Sequence, residues 1–312
     1  MSEQKKSHTN SQVILFVTVI CFICALVLSL LASALKKPQE RARELYKSKQ
    51  LLIASRILSY DGHFLLKQGE KFVPAVYKEE ENMLAPAEEE PPPSAKSQEI
   101  LNVYQKRVHP MLTDKEGSLY TFEDLGIDPD DYMKEHAKKG FADLKYKLLY
   151  LISPNEPSDK AAMERIPYGY VIPVNGYGLW GPVYGYLTLS SDANHIIGTT
   201  WYDQEETPGL GGNIGLPYWQ KQFYEKQIFQ PNQEGTVNYN RAPLGVIIVK
   251  TSVDDELKGS PKAQSAVDGI PGATITVKGV TEAYRSSLSP YRQFLIRAHE
   301  RYVESVGGKD EK

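Results

Sequence analysis

The sequence predicts an α+β protein, in which an N-terminal transmembrane helix is followed by a mostly antiparallel sheet packed with helices. Three features predict this. One uncharged apolar run lies near the N-terminus, short β-rich runs separated by glycine and proline follow Tyr146, and a helical pattern closes the chain. Strands that are separated by turns, rather than by long helices, favour antiparallel pairing.

The anchor is predicted at residues 13–35, after a short tail of residues 1–12. The run is uncharged and long enough to cross a hydrocarbon core of roughly 30 Å as a helix. A cleavable signal peptide is an alternative, since residues 32–34 (Ala-Ser-Ala) fit a cleavage site, but its apolar region would be only about 7–15 residues long. A lipoprotein anchor needs a small residue before the cysteine, where Ile20 and Ile23 stand. We therefore expect a retained single-span anchor.

Two segments follow the anchor. Residues 36–77 are expected to be a membrane-proximal helical segment, with a helix that runs to a turn at Ser59. Residues 78–98 contain two glutamate triplets and three consecutive prolines, which predict an extended, solvated linker.

The pattern of a folded domain extends from residue 140 to residue 306. Five runs predict strands: Tyr146–Ile152, Gly169–Val174, Val183–Leu189, Ile196–Trp201 and Leu244–Thr251. Helices are predicted at Pro217–Phe229 and from about Lys278 to Val306, with a bend or break at Pro290.

Composition limits the function classes. The 312 residues carry a formal net charge of −3 with no basic run, which argues against binding of nucleic acid. The only two cysteines, Cys21 and Cys24, lie within the apolar run, and the six histidines are scattered. The soluble part therefore offers neither a disulfide nor a zinc or haem motif. The cysteine spacing is that of a redox pair, but hydrocarbon disfavours the thiolate, so we expect two small apolar side chains.

The segment from Asp268 to Thr276, Asp-Gly-Ile-Pro-Gly-Ala-Thr-Ile-Thr, carries the clearest functional signal. Gly272 permits a left-handed backbone and close approach, and Ala273 adds almost no bulk. Thr274 and Thr276 follow at the start of a predicted helix, whose free N–H groups favour a phosphate. The pattern indicates a phosphorylated ligand against, or bonded to, a threonine oxygen. A glycine turn with a threonine N-cap is the alternative.

Two glycine-rich segments precede this motif. Tyr177 to Gly185 interleaves glycines with aromatic residues, and Trp180 could stack on a flat ligand or fill a core. Glu205 to Gly212 contains a Pro-Gly turn rich in free N–H groups, which alone could be a plain surface turn.

Together the segments resemble a known family. Gly-Leu-Trp-Gly-Pro-x-Tyr-Gly, Glu-Thr-Pro-Gly-Leu-Gly and Asp-x-x-x-Gly-Ala-Thr-x-Thr occur in the order typical of the C subunit of the bacterial Na⁺-translocating NADH:quinone reductase, the NqrC family. The last pattern resembles the acceptor motif for covalent FMN, Ser/Thr-Gly-Ala-Ser/Thr-x-Thr. The resemblance implies a covalent FMN-binding domain at residues 140–306 and leaves residues 99–139 as an insertion of unknown role.

The resemblance also implies site residues. Thr276 would carry FMN through a phosphoester, with the backbone of Gly272, Ala273 and Thr274 beneath the phosphate. A second group would line the flavin: Trp180, Glu206, Thr207, Gly209, Leu210 and Gly211. No catalytic or metal-binding residue is implied.

The implied function is electron transfer within a complex. With the A, B, D, E and F subunits, the chain would form an NADH:ubiquinone reductase that couples its reaction to Na⁺ export, without complete catalysis by this chain alone. A flavin transferase would attach the FMN. The protein would be a single-pass protein of the bacterial inner membrane with a periplasmic flavin domain, although the count of Lys and Arg beside the anchor mildly favours the opposite orientation.

Two alternatives stay open. One is the G subunit of an Rnf-type ferredoxin:NAD⁺ oxidoreductase, against which the Leu-Trp-Gly-Pro segment and the chain length argue. The other is a membrane-tethered binding protein without flavin. Two residues depart from the usual acceptor motif: Pro271 stands where Ser or Thr is usual, and Val277 stands where Ser is common. These departures concern the efficiency of FMN attachment rather than its location.

Overall fold

The computed structural model describes residues 10–156 and 166–307. The chain divides between Lys47 and Ser48 into two units, which are described separately. A single helix, α1 (Asn10–Ala54), begins in the first unit and continues through Pro38. The side chains of residues 11–44 are exposed, and α1 is long and apolar enough to cross a membrane. A helix suits hydrocarbon because it satisfies its own backbone hydrogen bonds.

The region after α1 differs from the prediction. The helix ends at Ala54, and β1 (Phe64–Gln68), β2 (Lys71–Lys78) and β3 (Met83–Pro86) then form an antiparallel sheet. The expectation that residues 36–77 are helical is therefore corrected for their last part, and the predicted linker at 78–98 contains a strand. Gly69, with a φ of +61°, makes the turn that brings β1 and β2 together.

The second unit is built on a six-stranded antiparallel sheet with the order β5-β4-β6-β7-β8-β9. Its strands are β4 (Val108–Thr113), β5 (Leu119–Tyr120), β6 (Lys147–Ile152), β7 (Gly169–Tyr177), β8 (Pro182–Ser190) and β9 (Ile196–Asp203). The four strands predicted between Tyr146 and Trp201 are confirmed. β4 and β5 come from residues 99–139, so that segment supplies two strands to the sheet.

In chain order, three helices follow α1 among the described residues up to residue 220. They are α2 (Ser97–Arg107) and α3 (Pro129–His136), which flank β4 and β5, and later the short α4 (Pro217–Gln220). The predicted helix at Pro217–Phe229 is wrong beyond its first turns. A 3-10 turn at Lys221–Phe223 follows α4, and Glu225 takes a φ of +62° that no helix continues through.

The predicted fifth strand is also largely wrong. Within Leu244–Thr251 only β10 (Ile247–Ile248) forms, and it pairs in parallel with β11 (Ala266–Val267). Gly245, at a φ of +112°, breaks the extended run before it. The short helix α5 (Val253–Glu256) lies between the two strands.

The C-terminal prediction is confirmed. Two helices, α6 (Thr274–Leu288) and α7 (Arg292–Gly307), are separated by a 3-10 turn that contains Pro290. Proline removes a backbone donor, so one continuous helix is not expected there. The core of the domain includes apolar side chains of α6 and of the sheet: Ile172, Val174, Leu187, Val280, Ala283 and Leu288.

The packing of α6 against β7 is unusually close and fixes where α6 begins. A methyl group on Gly176 would lie 2.5 Å from the Ala283 Cβ, and one on Gly279 would strike the backbone carbonyl of Tyr177. The Ser287 hydroxyl also bonds to β7, since it accepts a hydrogen bond from the Asn175 N–H at 3.1 Å. These contacts place the start of α6 beside the β7–β8 hairpin.

Candidate functional site

The candidate site begins at the N-terminus of α6. Gly272 has a φ of +77°, as the motif predicts for a turn that L side chains rarely adopt. Ala273 is the N-cap residue, and its carbonyl accepts the first hydrogen bond of the helix from the Val277 N–H at 3.0 Å. The N–H groups of the first helical turn therefore precede the helical hydrogen-bond ladder and carry the positive end of the helix dipole.

Thr276 lies in this first turn and is nearly inaccessible, with 1% of its surface exposed. Its hydroxyl donates a hydrogen bond to Oε2 of Glu206, a carboxylate that is itself only 5% exposed. The other carboxylate oxygen, Oε1, accepts a hydrogen bond from the backbone N–H of Trp180 at 2.9 Å. Three predicted site residues, from three separate segments, thus meet at one carboxylate.

A second contact joins the β7–β8 hairpin to the loop after β9. The indole Nε1–H of Trp180 donates to the hydroxyl of Thr207 at 3.1 Å. The loop itself is a tight turn, since the N–H groups of Leu210 and Gly212 both donate to the carbonyl of Thr207 at 3.1 and 3.0 Å. Gly209 has a φ of +79°, which this turn requires.

Two glycines make room for the Glu206 carboxylate. A methyl group on Gly211 would lie 2.6 Å from the Thr276 Oγ1, and one on Gly178 would lie 2.7 Å from the Glu206 Cδ. Both distances are well inside van der Waals contact, so a larger residue at either position would force the Glu206 or Thr276 side chain to move. Gly178 is not among the predicted site residues, although it stands within the predicted aromatic segment.

Apolar side chains are exposed on the segments that surround this buried pair. Trp180 is 67% exposed, and Leu210 and Ile275 are exposed as well. Trp180 is therefore not a core residue, which removes one of the two interpretations of its segment. Leu210 lies over the turn before α6, because a methyl group on Gly272 would lie 2.9 Å from its Cδ2.

A buried polar cluster connects α6 to the sheet beneath the site. The Tyr284 hydroxyl lies 2.8 Å from the Thr199 Oγ1 and accepts a hydrogen bond from the Trp201 Nε1–H at 3.1 Å. Burial raises the pKa of Tyr284 well above its usual value, so the phenol stays neutral. This cluster supports the site structurally. It could not be predicted from the sequence, because its two hydrogen bonds join residues that are 83 and 85 positions apart.

The chain is similar to known proteins over most of its length. The FMN-binding domain family matches residues 178–289. The C subunit of the Na⁺-translocating NADH-quinone reductase of Chlamydia caviae is 37% identical over 305 residues, which cover 95% of each chain. The Chlamydia pneumoniae C subunit is 36% identical over 309 residues, and that of Pseudomonas aeruginosa is 32% identical over 203 residues, 60% of this chain and 69% of that one. The chain belongs to the NqrC family.

Membership in the NqrC family argues against one alternative given above, the Rnf-type G subunit. It also agrees with the fold. The crystal structure of the C subunit from Parabacteroides distasonis has a TM-score of 0.52 at 24% identity and covers 84% of this chain and 96% of that chain. The α+β prediction, with its N-terminal apolar helix, is confirmed.

The FMN-binding domain of this NqrC-family chain contains all the predicted site residues within residues 178–289. The structure brings seven of them together around the Glu206 carboxylate and the loop above it: Trp180, Glu206, Thr207, Leu210, Gly211, Gly272 and Thr276. Gly209 serves the turn of the loop and Ala273 caps the helix. Thr274 is exposed at the first helical position.

These residues fit a phosphate ester on Thr276. Thr276 stands in the first turn of α6, whose free backbone N–H groups suit a phosphate, and its hydroxyl is turned to Glu206. Gly211 leaves space beside this hydroxyl, since a methyl group at that position would lie 2.6 Å from the Thr276 Oγ1. No group of histidine, cysteine, aspartate or glutamate residues that could hold a metal ion occurs in the described part of the chain.

Proposed function

We propose that this chain carries electrons through an FMN that is bound covalently to Thr276 by a phosphoester. The observation that supports this most is the position of the Thr276 hydroxyl, which lies at the start of α6 and is fixed by the Glu206 carboxylate. An N-cap threonine would instead precede the helix and turn its oxygen toward the N–H groups of its own first turn. Thr276 is inside the helix, and its oxygen is turned to another segment.

The start of α6 would hold the phosphate. The N–H groups of Thr274, Ile275 and Thr276 precede the first helical hydrogen bond, so they can donate to phosphate oxygens. Lys278 is exposed one turn further on and adds a positive charge on the same helix. Bound FMN supplies the electron chemistry, because its ring can accept and release electrons.

The exposed apolar side chains would hold the flavin ring. Trp180 offers a large aromatic face, and its indole orientation is fixed by the hydrogen bond to Thr207. Leu210 and Ile275 offer apolar contact on the neighbouring segments. A ring that lies on exposed side chains stays accessible to redox partners, as an electron carrier requires.

The rest of the proposal concerns the complex. The A, B, D, E and F subunits would accompany this chain in an NADH:ubiquinone reductase that exports Na⁺, and a flavin transferase would attach the FMN. The helix α1 would anchor the chain in the bacterial inner membrane, with the flavin domain in the periplasm. Family membership and the apolar α1 helix support this arrangement.

Covalent attachment is tested by flavin fluorescence after denaturing gel electrophoresis of the full chain, produced together with a flavin transferase. We expect a fluorescent band for the wild type and for Thr274→Val, and no band for Thr276→Val. Thr274→Val is the matched control, because Thr274 is a second threonine of the same helical turn. A band that persists in Thr276→Val, or a wild type without a band, would contradict the proposal.

A further inference from the structure

We propose that Glu206 is the general base for attachment of the flavin: it holds the Thr276 hydroxyl and accepts its proton when the phosphoester forms. This inference rests on the proposed function, in which Thr276 is the acceptor. The resemblance assigned Glu206 only to the lining of the flavin. The structure gives it a contact with the reacting oxygen itself.

The geometry of the carboxylate suits a base. Its Oε1 is held by the Trp180 N–H at 2.9 Å, which leaves Oε2 directed at the Thr276 hydroxyl. A threonine hydroxyl is a weak nucleophile until an adjacent group removes its proton. Among the described residues, the Thr276 hydroxyl makes one side-chain hydrogen bond, and its partner is Glu206.

The burial of the carboxylate also needs a reason. Glutamate is rarely buried unless it is paired, and no lysine, arginine or histidine lies within 4.0 Å of Glu206 among the described residues. A glutamine would fill the same space and accept the same bond from Trp180 without the cost of burying a charge. A function that requires proton transfer accounts for the carboxylate.

Two glycines, Gly178 and Gly211, lie against the Glu206 carboxylate. They leave space for the carboxylate, and hydrogen bonds from the Trp180 N–H and the Thr276 hydroxyl fix its two oxygens. Glu206 also has its own N–H bonded to the Gln204 side chain at 2.5 Å, which fixes the backbone from which the carboxylate extends. The base is thus preorganised around the hydroxyl.

The reaction is a phosphoryl transfer from FAD, which the transferase would bring. Oγ1 of Thr276 forms a bond to the phosphorus on the flavin side of the FAD diphosphate. The bond from that phosphorus to the bridging oxygen breaks, and AMP leaves with that oxygen and the electron pair. The Thr276 proton goes to Oε2 of Glu206. Nothing is oxidised or reduced.

The test is the rate of FMN attachment to the purified full chain, measured with transferase and FAD by in-gel fluorescence across a range of pH. We expect Glu206→Gln to lower the rate at neutral pH by about 10²–10⁴-fold, the usual contribution of a general base. Its remaining rate should rise with pH, as hydroxide replaces the carboxylate. Glu206→Asp keeps a carboxylate and should be slowed less, with a pH profile like that of the wild type.

Glu205→Gln is the matched control, because Glu205 is the neighbouring residue but is exposed. It should react at the wild-type rate. Thermal unfolding of each variant shows whether the fold is kept. If Glu206→Gln fails to fold, the deciding measurement is the pH profile of the attachment rate of Glu206→Asp. A profile shifted away from that of the wild type would overturn the proposal.

Two other outcomes would overturn the role of Glu206 while the proposed function stands. One is a Glu206→Gln chain that reacts at the wild-type rate, which would place the base on the transferase. The other is a loss that is equal at every pH, which would mean that Glu206 only maintains the fold. A wild-type chain that acquires no FMN would instead refute the proposed function, and this inference with it.

Discussion

The Thr276 hydroxyl owes its position to a carboxylate that is itself fixed by the backbone of a third segment. Thr276, Glu206 and Trp180 are far apart in the sequence, and each makes its contact because glycines let the segments approach closely. The glycine and threonine pattern of residues 272–276 was sufficient to predict the left-handed turn at Gly272 and the helix start that follows it. The bond to Glu206 could not be predicted, because it joins side chains 70 residues apart and depends on how the loop packs.

Gly211→Ala tests the closeness of this packing. Its methyl group would lie 2.6 Å from the Thr276 Oγ1 and 3.0 Å from the Glu206 Cβ, so one of the two side chains must move. A displacement of about 1 Å at a reacting group can cost about 10²-fold in rate, and we expect a loss of that order in FMN attachment. The measurement is in-gel flavin fluorescence over time.

Gly215→Ala is the control for this substitution. It adds the same methyl group to the next turn, where the nearest atom is the Trp201 carbonyl at 3.3 Å. Its attachment rate should stay close to that of the wild type. Equal rates for Gly211→Ala and the wild type would show that the glycine is not needed around the hydroxyl.

Among the elements, α6 is the one that determines the site, because its first turn carries Thr276 and its later turns pack on β7. The sequence predicted the break between α6 and α7 correctly, since Pro290 is a local signal that removes a backbone donor. It predicted β6 to β9 for the same reason, because turn residues bound each apolar run. β1 to β5 were missed, because prolines interrupt the runs of β2 and β4 and the other three strands have only two to five residues.

The turn between β8 and β9 is held by the hydrogen-bonded pair Asp192 and His195, whose contribution to stability should depend on pH. Burial opposes ionisation of Asp192, but hydrogen bonds from the His195 side chain, from Ser190 and from the backbone outweigh it and lower its pKa. The bond to Asp192 raises the pKa of His195, against the opposing effect of burial. His299 of α7 bonds to the Asp192 carbonyl at 2.8 Å, so the pair also lies against the C-terminal helix.

Asp192→Asn should therefore destabilise the chain most between about pH 4 and pH 6.5, the usual pKa values of aspartate and histidine in unfolded chains. The contribution of Asp192 is present above about pH 4 and is lost as the pH falls below it, because its folded-state pKa is lowered. The contribution of His195 is full below about pH 6.5 and is lost as the pH rises through its raised folded-state pKa.

The measurement is the thermal unfolding midpoint of wild type and variant from pH 3 to pH 9. Asp143→Asn, a change at an exposed aspartate outside this turn, is the control and should show no such maximum. A difference between wild type and Asp192→Asn that is constant over the whole range would show that the pair does not titrate as described.

At the scale of the whole molecule, the chain combines an apolar helix with an FMN-binding domain, and its relatives are C subunits of the Na⁺-translocating NADH-quinone reductase. The sequence indicated both parts, because a long uncharged run and a set of ordered motifs are visible without any tertiary information. The side of the membrane on which the domain lies was ambiguous. Family resemblance and the charge count gave opposite answers, and the count is a weak guide for long domains.

Orientation can be measured on the full chain with one introduced cysteine. Glu234 is exposed on the domain, and the two native cysteines lie on α1. We expect Glu234→Cys to react with a membrane-impermeant maleimide in cells whose outer membrane alone is permeabilised, because the domain is proposed to be periplasmic. The wild type measures the background from Cys21 and Cys24. Labelling only after the inner membrane is opened would place the domain in the cytoplasm.

The central claim, that Thr276 carries FMN, is tested most directly by mass spectrometry of the chain purified after production with a flavin transferase. Cleavage after Lys262 and Lys278 releases a peptide of residues 263–278 that contains three hydroxyl side chains, Ser265, Thr274 and Thr276. We predict that this peptide carries the mass of FMN less one water, and that fragmentation places it on Thr276. An unmodified peptide, or a flavin placed on any other residue, would contradict the account.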